Sequence, residues 1–385
     1  MGFGMPKSKP GVPSLLRELN DSAALNHILR VGEVTRAELA AHTGLSRVTS
    51  SQALARLEAL GLIHSTGSRS GSRGPAADLY VLAPRVGGAL GMAVLPDVVR
   101  ADVCALTGEV LASVEEPLGE DIVSSCLAAA RAVVAQAGVG SGPVHAAVVA
   151  TPGVVDPVSG DLSFSYDLLQ APELRHALGE QLRFPVRLGN DIHLAALAEC
   201  REGVARGEED FVVLWMGRGV GMACVIDGKV RSGSSGAAGE IGYLPVPGVP
   251  LPTSVDNLEQ GSFQRLVGAP AVAELARRHG IERNQAPDRG SPFLTELAAR
   301  ISLGVAAIGT ILDPALVVLT GETSLGAGPD LPLAVAEATS RIAPIRPRVE
   351  LSTLGVDGPL VGARLEALDS ARAALLTRIP TAHVK

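Results

Sequence analysis

One strand-rich unit occurs twice along this chain. "GALGMAVLPDVVRADVCALTGEVLASV" (88–114) reads strand, turn, strand, turn at Thr107-Gly108-Glu109, strand. "FVVLWMGRGVGMACVIDGKVRSG" (211–233) repeats the layout, with Asp227-Gly228-Lys229 as its second turn. Helical stretches at 124–137, 171–183, 192–205 and 292–312 lie between and after the two units. A repeated meander interleaved with helices predicts two α/β lobes, each built on its own sheet.

At 385 residues, 46% of them hydrophobic, the chain has the length for two or three domains with a substantial core. No uninterrupted apolar run approaches the roughly 18 residues of a membrane span, and the opening "MGFGMPKSKP" lacks the apolar centre of a signal peptide. Cysteines 104, 126, 200 and 224 stand singly, which predicts neither a disulfide framework nor a CxxC metal site. These features predict a cytoplasmic protein with no membrane partner.

The net charge of −7 is unevenly spread. Residues 1–85 hold ten Lys/Arg against six acids, about +4, which leaves about −11 for the remainder. A basic head on an acidic body points to a polyanion as the partner of the head. Within that head, "TRAELAAHTGLSRVTSSQALARLEALG" (35–61) carries a T-x-x-E capping box at Thr35 and Glu38. Gly44 supplies a tight turn, and Ser46 caps a second helix whose apolar face is read as Val48, Leu54 and Leu57. Gly61 stands just past its end. An earlier helix near 14–31 offers Leu15, Leu16, Leu19, Leu25, Ile28 and Leu29 for packing.

Helix, glycine turn and capped helix form the helix-turn-helix layout, whose second helix enters the major groove. The residues expected to face DNA are Arg47, Thr49, Ser50, Gln52 and Arg56. Strands near 62–66 and 77–82 follow, and their linking tip "GSRSGSRG" brings Arg69 and Arg73 as a basic wing. The bland alternative is a three-helix bundle that mediates protein contacts. Agreement of cap, turn, apolar face and basic wing favours a winged helix-turn-helix over residues 1–82.

Residues 83–385 form the body. In order, it contains "TPGVVDPVSGDL" (151–162), "FPVRLGNDIHLAALAE" (184–199), "GRGVGMACVIDGKVRSGSSGAAGEIGY" (217–243), "ILDPALVVLTGE" (311–322) and "VDGPLVGARLEAL" (356–368). Together these resemble the ROK family (repressor, open reading frame, kinase), and with the winged head they resemble its repressor branch. The resemblance implies a two-lobed actin-like, ribonuclease H-type body. It also implies a sugar-binding set at Asn190, Asp191, Glu240, Tyr243 and Glu259. The chemistry fits, because carboxylates accept from vicinal hydroxyls and an amide both accepts and donates. Asn190-Asp191 also reads as the cap of the helix starting at Ile192, and the two roles are compatible.

Three departures from the family pattern matter. Tyr243 stands where the family's "EIGH" has His, and "PGVPLPTSVDNLE" (247–259) has none of the cysteines that complete its structural zinc site. No metal or cofactor is therefore expected, and Pro247, Val249, Leu251 and Pro252 are expected to stiffen the loop. Tyr243 is open to two readings, a hydroxyl donor to a ligand or a core tyrosine. The first-lobe stretch "GMAVLPD" (91–97) has Met92 or Ala93 where the kinase branch has the aspartate of its phosphate loop. Arg218 replaces a usual threonine, and Thr320 replaces the first glycine of the adenine-side pair. The expected function is a non-enzymatic regulator, a repressor of carbohydrate-related genes controlled by a sugar or sugar-derivative effector. It is expected to bind an inverted-repeat DNA operator as a homodimer or tetramer. The alternatives are a bifunctional sugar kinase with a DNA-binding head, and a regulator with a non-sugar effector or none.

Overall fold

Thr35 begins the second helix of the head as its spacing predicts. Its hydroxyl accepts from the Glu38 amide at 3.2 Å, while the Glu38 carboxylate accepts from the Thr35 amide at 2.8 Å. The computed structural model describes residues 13–69, 77–138, 142–165, 173–255, 261–281 and 287–379. In it the head runs α1 (Pro13–Val31), β1 (Glu33–Thr35), α2 (Arg36–Thr43), α3 (Arg47–Ala59), β2 (Ile63–Arg69) and β3 (Ala77–Leu82). Gly44 ends α2 in the left-handed region at φ +70°, and the Ser46 hydroxyl caps α3 by accepting from Thr49 N at 3.1 Å. The three strands pair in the order β1-β3-β2.

The head's core is Leu25, Ile28 and Leu29 of α1, Leu39 of α2, Ala53, Leu54 and Leu57 of α3, and Leu62 and Ile63. Two sequence expectations are corrected here. Leu15, Leu16 and Leu19 are exposed, because the buried stripe of α1 runs through Asp21, Ala24, Leu25 and Ile28 and leaves them off its face. Val48 is 67% exposed. The buried face of α3 passes through Ser50, Ala53, Leu54 and Leu57, which puts Val48 on the far side.

The first lobe contains β4 (Gly88–Val94), β5 (Val98–Ala105), β6 (Val110–Pro117), α4 (Ile122–Ala137), β7 (Val144–Thr151), β8 (Val154–Val155), β9 (Leu162–Phe164), α5 (Leu174–Leu182), β10 (Val186–Asn190) and α6 (Asp191–Glu202). The second contains β11 (Phe211–Met216), β12 (Val220–Ile226), β13 (Lys229–Val230), α7 (Gln264–Val267), α8 (Ala269–Arg278), α9 (Pro292–Leu312), β14 (Leu316–Thr320), α10 (Glu322–Gly326), α11 (Leu331–Ile342) and β15 (Arg348–Leu351). Their five-stranded sheets have the same order, β10-β7-β4-β5-β6 and β13-β12-β11-β14-β15. In each, an antiparallel meander is extended by two parallel strands. That duplicated order gives the two lobes expected from the repeat, in the ribonuclease H-type arrangement that the family resemblance implies. The central strands "GALGMAV" and "FVVLWM" are buried along their whole length, as helices on both faces require.

Two long helices complete the body. By length and hydropathy α9 alone among the described residues passes as a membrane span, and half of its apolar window is buried. Its inner face, Phe293, Leu294, Leu297, Ile301 and Val305, is the core of the second lobe. The last helix, α12 (Gly358–Leu376), returns to the first lobe and lies against β4 and α6. Close approach is possible because a Cβ at Gly91 would fall 2.5 Å from the Arg364 amide nitrogen, and one at Gly362 would overlap the Leu194 carbonyl. At its far end Arg372 donates from Nε to Leu106 O at 2.8 Å and from a terminal nitrogen to Leu29 O at 3.0 Å. Head and first lobe share one apolar cluster that includes Leu29, Val86, Leu368 and Leu375.

Candidate functional site

A cavity of about 170 Å³ lies between the lobes. Asn190, Asp191, Glu240 and Tyr243, far apart in sequence, all line it. Asn190 ends β10 and caps α6. Its Oδ1 accepts from Ile192 N and His193 N at 3.1 and 2.9 Å, and its Nδ2 donates to Gly153 O at 2.9 Å. The amide thus fixes the helix start while one face meets the cavity. Asp191 is the first residue of α6, where the helix dipole favours a carboxylate, and its Oδ1 accepts from Ile192 N at 2.9 Å.

Glu240 is delivered by a close backbone approach. Gly239 has φ +103°, and any Cβ there would strike the Met222 carbonyl, so only glycine lets the loop run this close to β12. The Glu240 carboxylate makes no hydrogen bond with the described residues, and burial pushes its pKa above the ordinary 4.5. A ligand hydroxyl would supply the missing donor. His193, which sequence reasoning missed, ties this loop to α6. Its Nε2–H donates to Ala238 O at 3.1 Å, and burial holds its pKa below the ordinary value, favouring the neutral ring. A histidine three residues into a helix carries no sequence signal for this role.

The Tyr243 hydroxyl donates to Val255 O at 2.6 Å, stapling the loop end to end. The residues present do not fit the family's zinc, since Tyr243 offers no imidazole and residues 244–260 contain neither Cys nor His. The loop's apolar support differs from expectation. Val246 is buried and Val249 packs beside it, whereas Pro247 is exposed and Leu251 is 63% exposed, because they stand on the solvent side of the turn. Glu259 lies outside the described residues.

Toward the first lobe the cavity wall is Val94, Leu95 and Pro96, which offer neither acid nor hydroxyl. Toward the second it is Trp215, Arg218 and Glu322, none of them in the expected binding set. The buried Gln264 holds the Arg218 turn by donating to Arg218 O and accepting from Val220 N, both at 2.8 Å. A Cβ at Gly217 would lie 2.2 Å from a Glu322 carboxylate oxygen and 3.0 Å from Trp215 Nε1, so both side chains cover this glycine.

On the recognition helix the expected DNA-facing residues divide. Arg47 and Gln52 are exposed, and Thr49 is half-buried with its hydroxyl on Ser46 Oγ at 2.8 Å. Ser50 does not face outward. It is fully buried, two positions round from Val48. Arg56 is engaged within the head, donating to both oxygens of the buried Asp21 carboxylate at 2.8 and 2.6 Å. The side chain of Arg69, and Arg73 altogether, lie outside the described residues. Val48, expected on the apolar face, instead shares the outward face with Gln52, and the half-buried Ser51, which the sequence reading did not single out, lies beside them.

The model described as "ROK family" matches residues 97–367, and that described as "MarR family" matches 18–74. The chain is 27% identical over 242 residues to the "DNA-binding transcriptional dual regulator NagC" of Escherichia coli, covering 61% of this chain. It spans 59–60% of the length of the curated relatives NagC and an uncharacterized Clostridium perfringens protein. The crystal structure of a ROK family transcriptional regulator, a homologue of the E. coli MLC protein, superposes with TM-score 0.69 at 17% identity, covering 94% of this chain and 99% of that one. The ROK hexokinase from Thermus thermophilus superposes with TM-score 0.59 at 28% identity, covering 73% and 97%.

Proposed function

The chain belongs to the ROK family, and from that premise we propose that it is a DNA-binding transcriptional repressor of carbohydrate-related genes. Residues 1–82 are the DNA-binding head, and residues 83–385 are the effector-binding and oligomerisation body. The observation that carries the effector reading is the Glu240 carboxylate. It is half-buried, without a hydrogen-bond donor among the described residues, and faces the same cavity as Asn190 and Asp191. A polyol supplies donors to such a carboxylate, and the apolar and aromatic wall around it suits the C–H faces of a sugar.

The body is proposed to be non-catalytic. Asp191 keeps the position of a kinase base, but Val94, Leu95 and Pro96 provide no group to hold magnesium or phosphates. The Glu322 carboxylate, close over Gly217, would repel a polyphosphate at that wall. A single head covers one half-site, so the protein is proposed to act as a homodimer or a pair of dimers on an inverted repeat in cytoplasmic DNA.

Trp215 is the chain's single tryptophan and lines the cavity, so its fluorescence reports occupancy directly. Titration with neutral sugars, amino sugars and their phosphates is expected to change Trp215 emission and release operator DNA over the same concentrations. Glu240→Ala is expected to weaken both responses by roughly ten- to a hundredfold, the contribution of a charged hydrogen bond, with operator affinity intact. Release of DNA by wild type and Glu240→Ala at the same effector concentration would place the pocket elsewhere.

A further inference from the structure

Two side chains on α3 remain unexplained by the packing of the head. Ser50, Ala53, Leu54 and Leu57 are buried, Ser46 and Thr49 bond to each other, and Arg56 is held by Asp21. Val48 and Gln52 stay on the outward face, one helical turn apart, with the small residues Ser51 and Ala55 beside them. Val48 is 67% exposed at the second position of the helix. A β-branched residue there lowers helix propensity and presents apolar surface to water, and the packing of the head does not account for it.

We propose that this pair reads sequence directly, Val48 by packing on the C5-methyl of a thymine and Gln52 by a bidentate hydrogen bond to N6 and N7 of an adenine. The inference rests on the DNA-binding reading of the head. A valine neither donates nor accepts, so the one base-specific feature it can recognise in the major groove is the thymine methyl. A glutamine amide matches the adenine edge, which pairs one donor with one acceptor. The N-terminal residues of a recognition helix are those that reach base edges, and Val48 follows the first helical residue, Arg47. Four residues rise about 6 Å along the helix, under two steps of about 3.4 Å, so the two bases lie within two pairs of each other. Ser51 and Ala55 let the helix approach closely. Arg47, exposed at the same end, faces the phosphates.

The test uses the full-length protein. Bound sequences are selected from a random duplex pool, and the selected site is synthesised with each thymine replaced in turn by deoxyuridine, which removes only the methyl. At one position per half-site the replacement is expected to weaken wild-type binding about fourfold, the effect of one buried methyl. Val48→Ala should lose a similar factor on thymine DNA and become indifferent to deoxyuridine at that position alone, a coupling that nonspecific loss does not produce. Gln52→Ala should lose roughly five- to 150-fold on the selected site and accept other bases in place of the adenine. Melting curves of both variants check that the head remains folded. Equal affinity of wild type for thymine and deoxyuridine at every position, or undiminished deoxyuridine sensitivity in Val48→Ala, overturns the proposal while leaving DNA binding intact. A pool from which wild type selects nothing removes the DNA-binding reading, and this inference with it.

Discussion

Ser50 lies fully buried beneath the recognition helix, and its hydroxyl makes no hydrogen bond within the described protein. An unpartnered buried hydroxyl costs about 1–3 kcal/mol, so Ser50→Ala is expected to leave the head equally stable or up to about 1 kcal/mol more stable, with unchanged operator affinity. Arg56→Ala is expected to do the opposite. It strands the buried Asp21 carboxylate and should lower stability by about 2–3 kcal/mol in urea melts, whatever DNA is present. A Ser50→Ala variant that folds normally but loses operator binding would restore Ser50 to the interface. The polarity of these two residues was legible in the sequence, but their direction was not. Outward and inward faces of a 13-residue helix differ by one or two positions, and Val48 has the chemistry of the apolar face but not its angle. Asp191 and Glu240 are expected from the family resemblance alone, and no turn signal singles them out; in the structure an Asn cap holds one at the cavity and a positive-φ glycine precedes the other.

At the scale of elements, the long helix α9 emerges from the sequence almost residue for residue, since Pro292 at its first position and the Ser291 hydroxyl on Leu294 N at 3.2 Å fix where it starts. The strand β1 does not, because three residues carry no periodicity and pair only through their neighbour β3. What sequence could not supply is how α8 is held on α9. Glu296 receives Arg278, Arg300 and His279 at 2.7, 2.8 and 3.0 Å. The hydrogen bond from His279, then those from Arg278 and Arg300, lower its pKa from the ordinary 4.5 to about 2. A carboxylate depressed in the folded state adds stability that is fully present above its unfolded value and is lost as pH falls through the folded one. The contribution is therefore expected to fade between about pH 4.5 and 2. Glu296→Gln should be less stable than wild type at pH 6, and the two denaturation midpoints should converge by pH 2. Because Glu296 is 36% exposed, molar salt should narrow the gap at pH 6. A gap independent of pH would assign the residue a packing role instead.

For the whole molecule, the duplicated sheet order and the winged head were legible because each rests on a local pattern, a repeated meander in one case and a cap-turn-cap series in the other. The path between pocket and head was not, since it depends on the chain's last helix returning across nearly its full length. That helix is well placed to connect them. Near its start, Asp357 accepts from Arg100 at 2.7 Å and Gly362 lies against the Leu194 carbonyl of α6, the helix that Asp191 begins. Near its end, the Arg372 guanidinium joins the last turn of α1 at Leu29 to the first-lobe turn at Leu106. Movement of α6 on effector binding would reach the head through a rigid, close-packed helix. Arg372→Ala removes the join at the head without touching the cavity. Effector affinity read by Trp215 should then stay within about twofold of wild type, as for a distant independent site. The effector-induced loss of DNA affinity, a coupling of roughly five- to 150-fold when intact, should largely vanish. Arg372→Lys keeps the charge but lacks the planar fork that spans two carbonyls, so it should restore little. If Arg372→Ala releases DNA with the wild-type dependence on effector, coupling runs by another route, and the contact only fixes where the head sits.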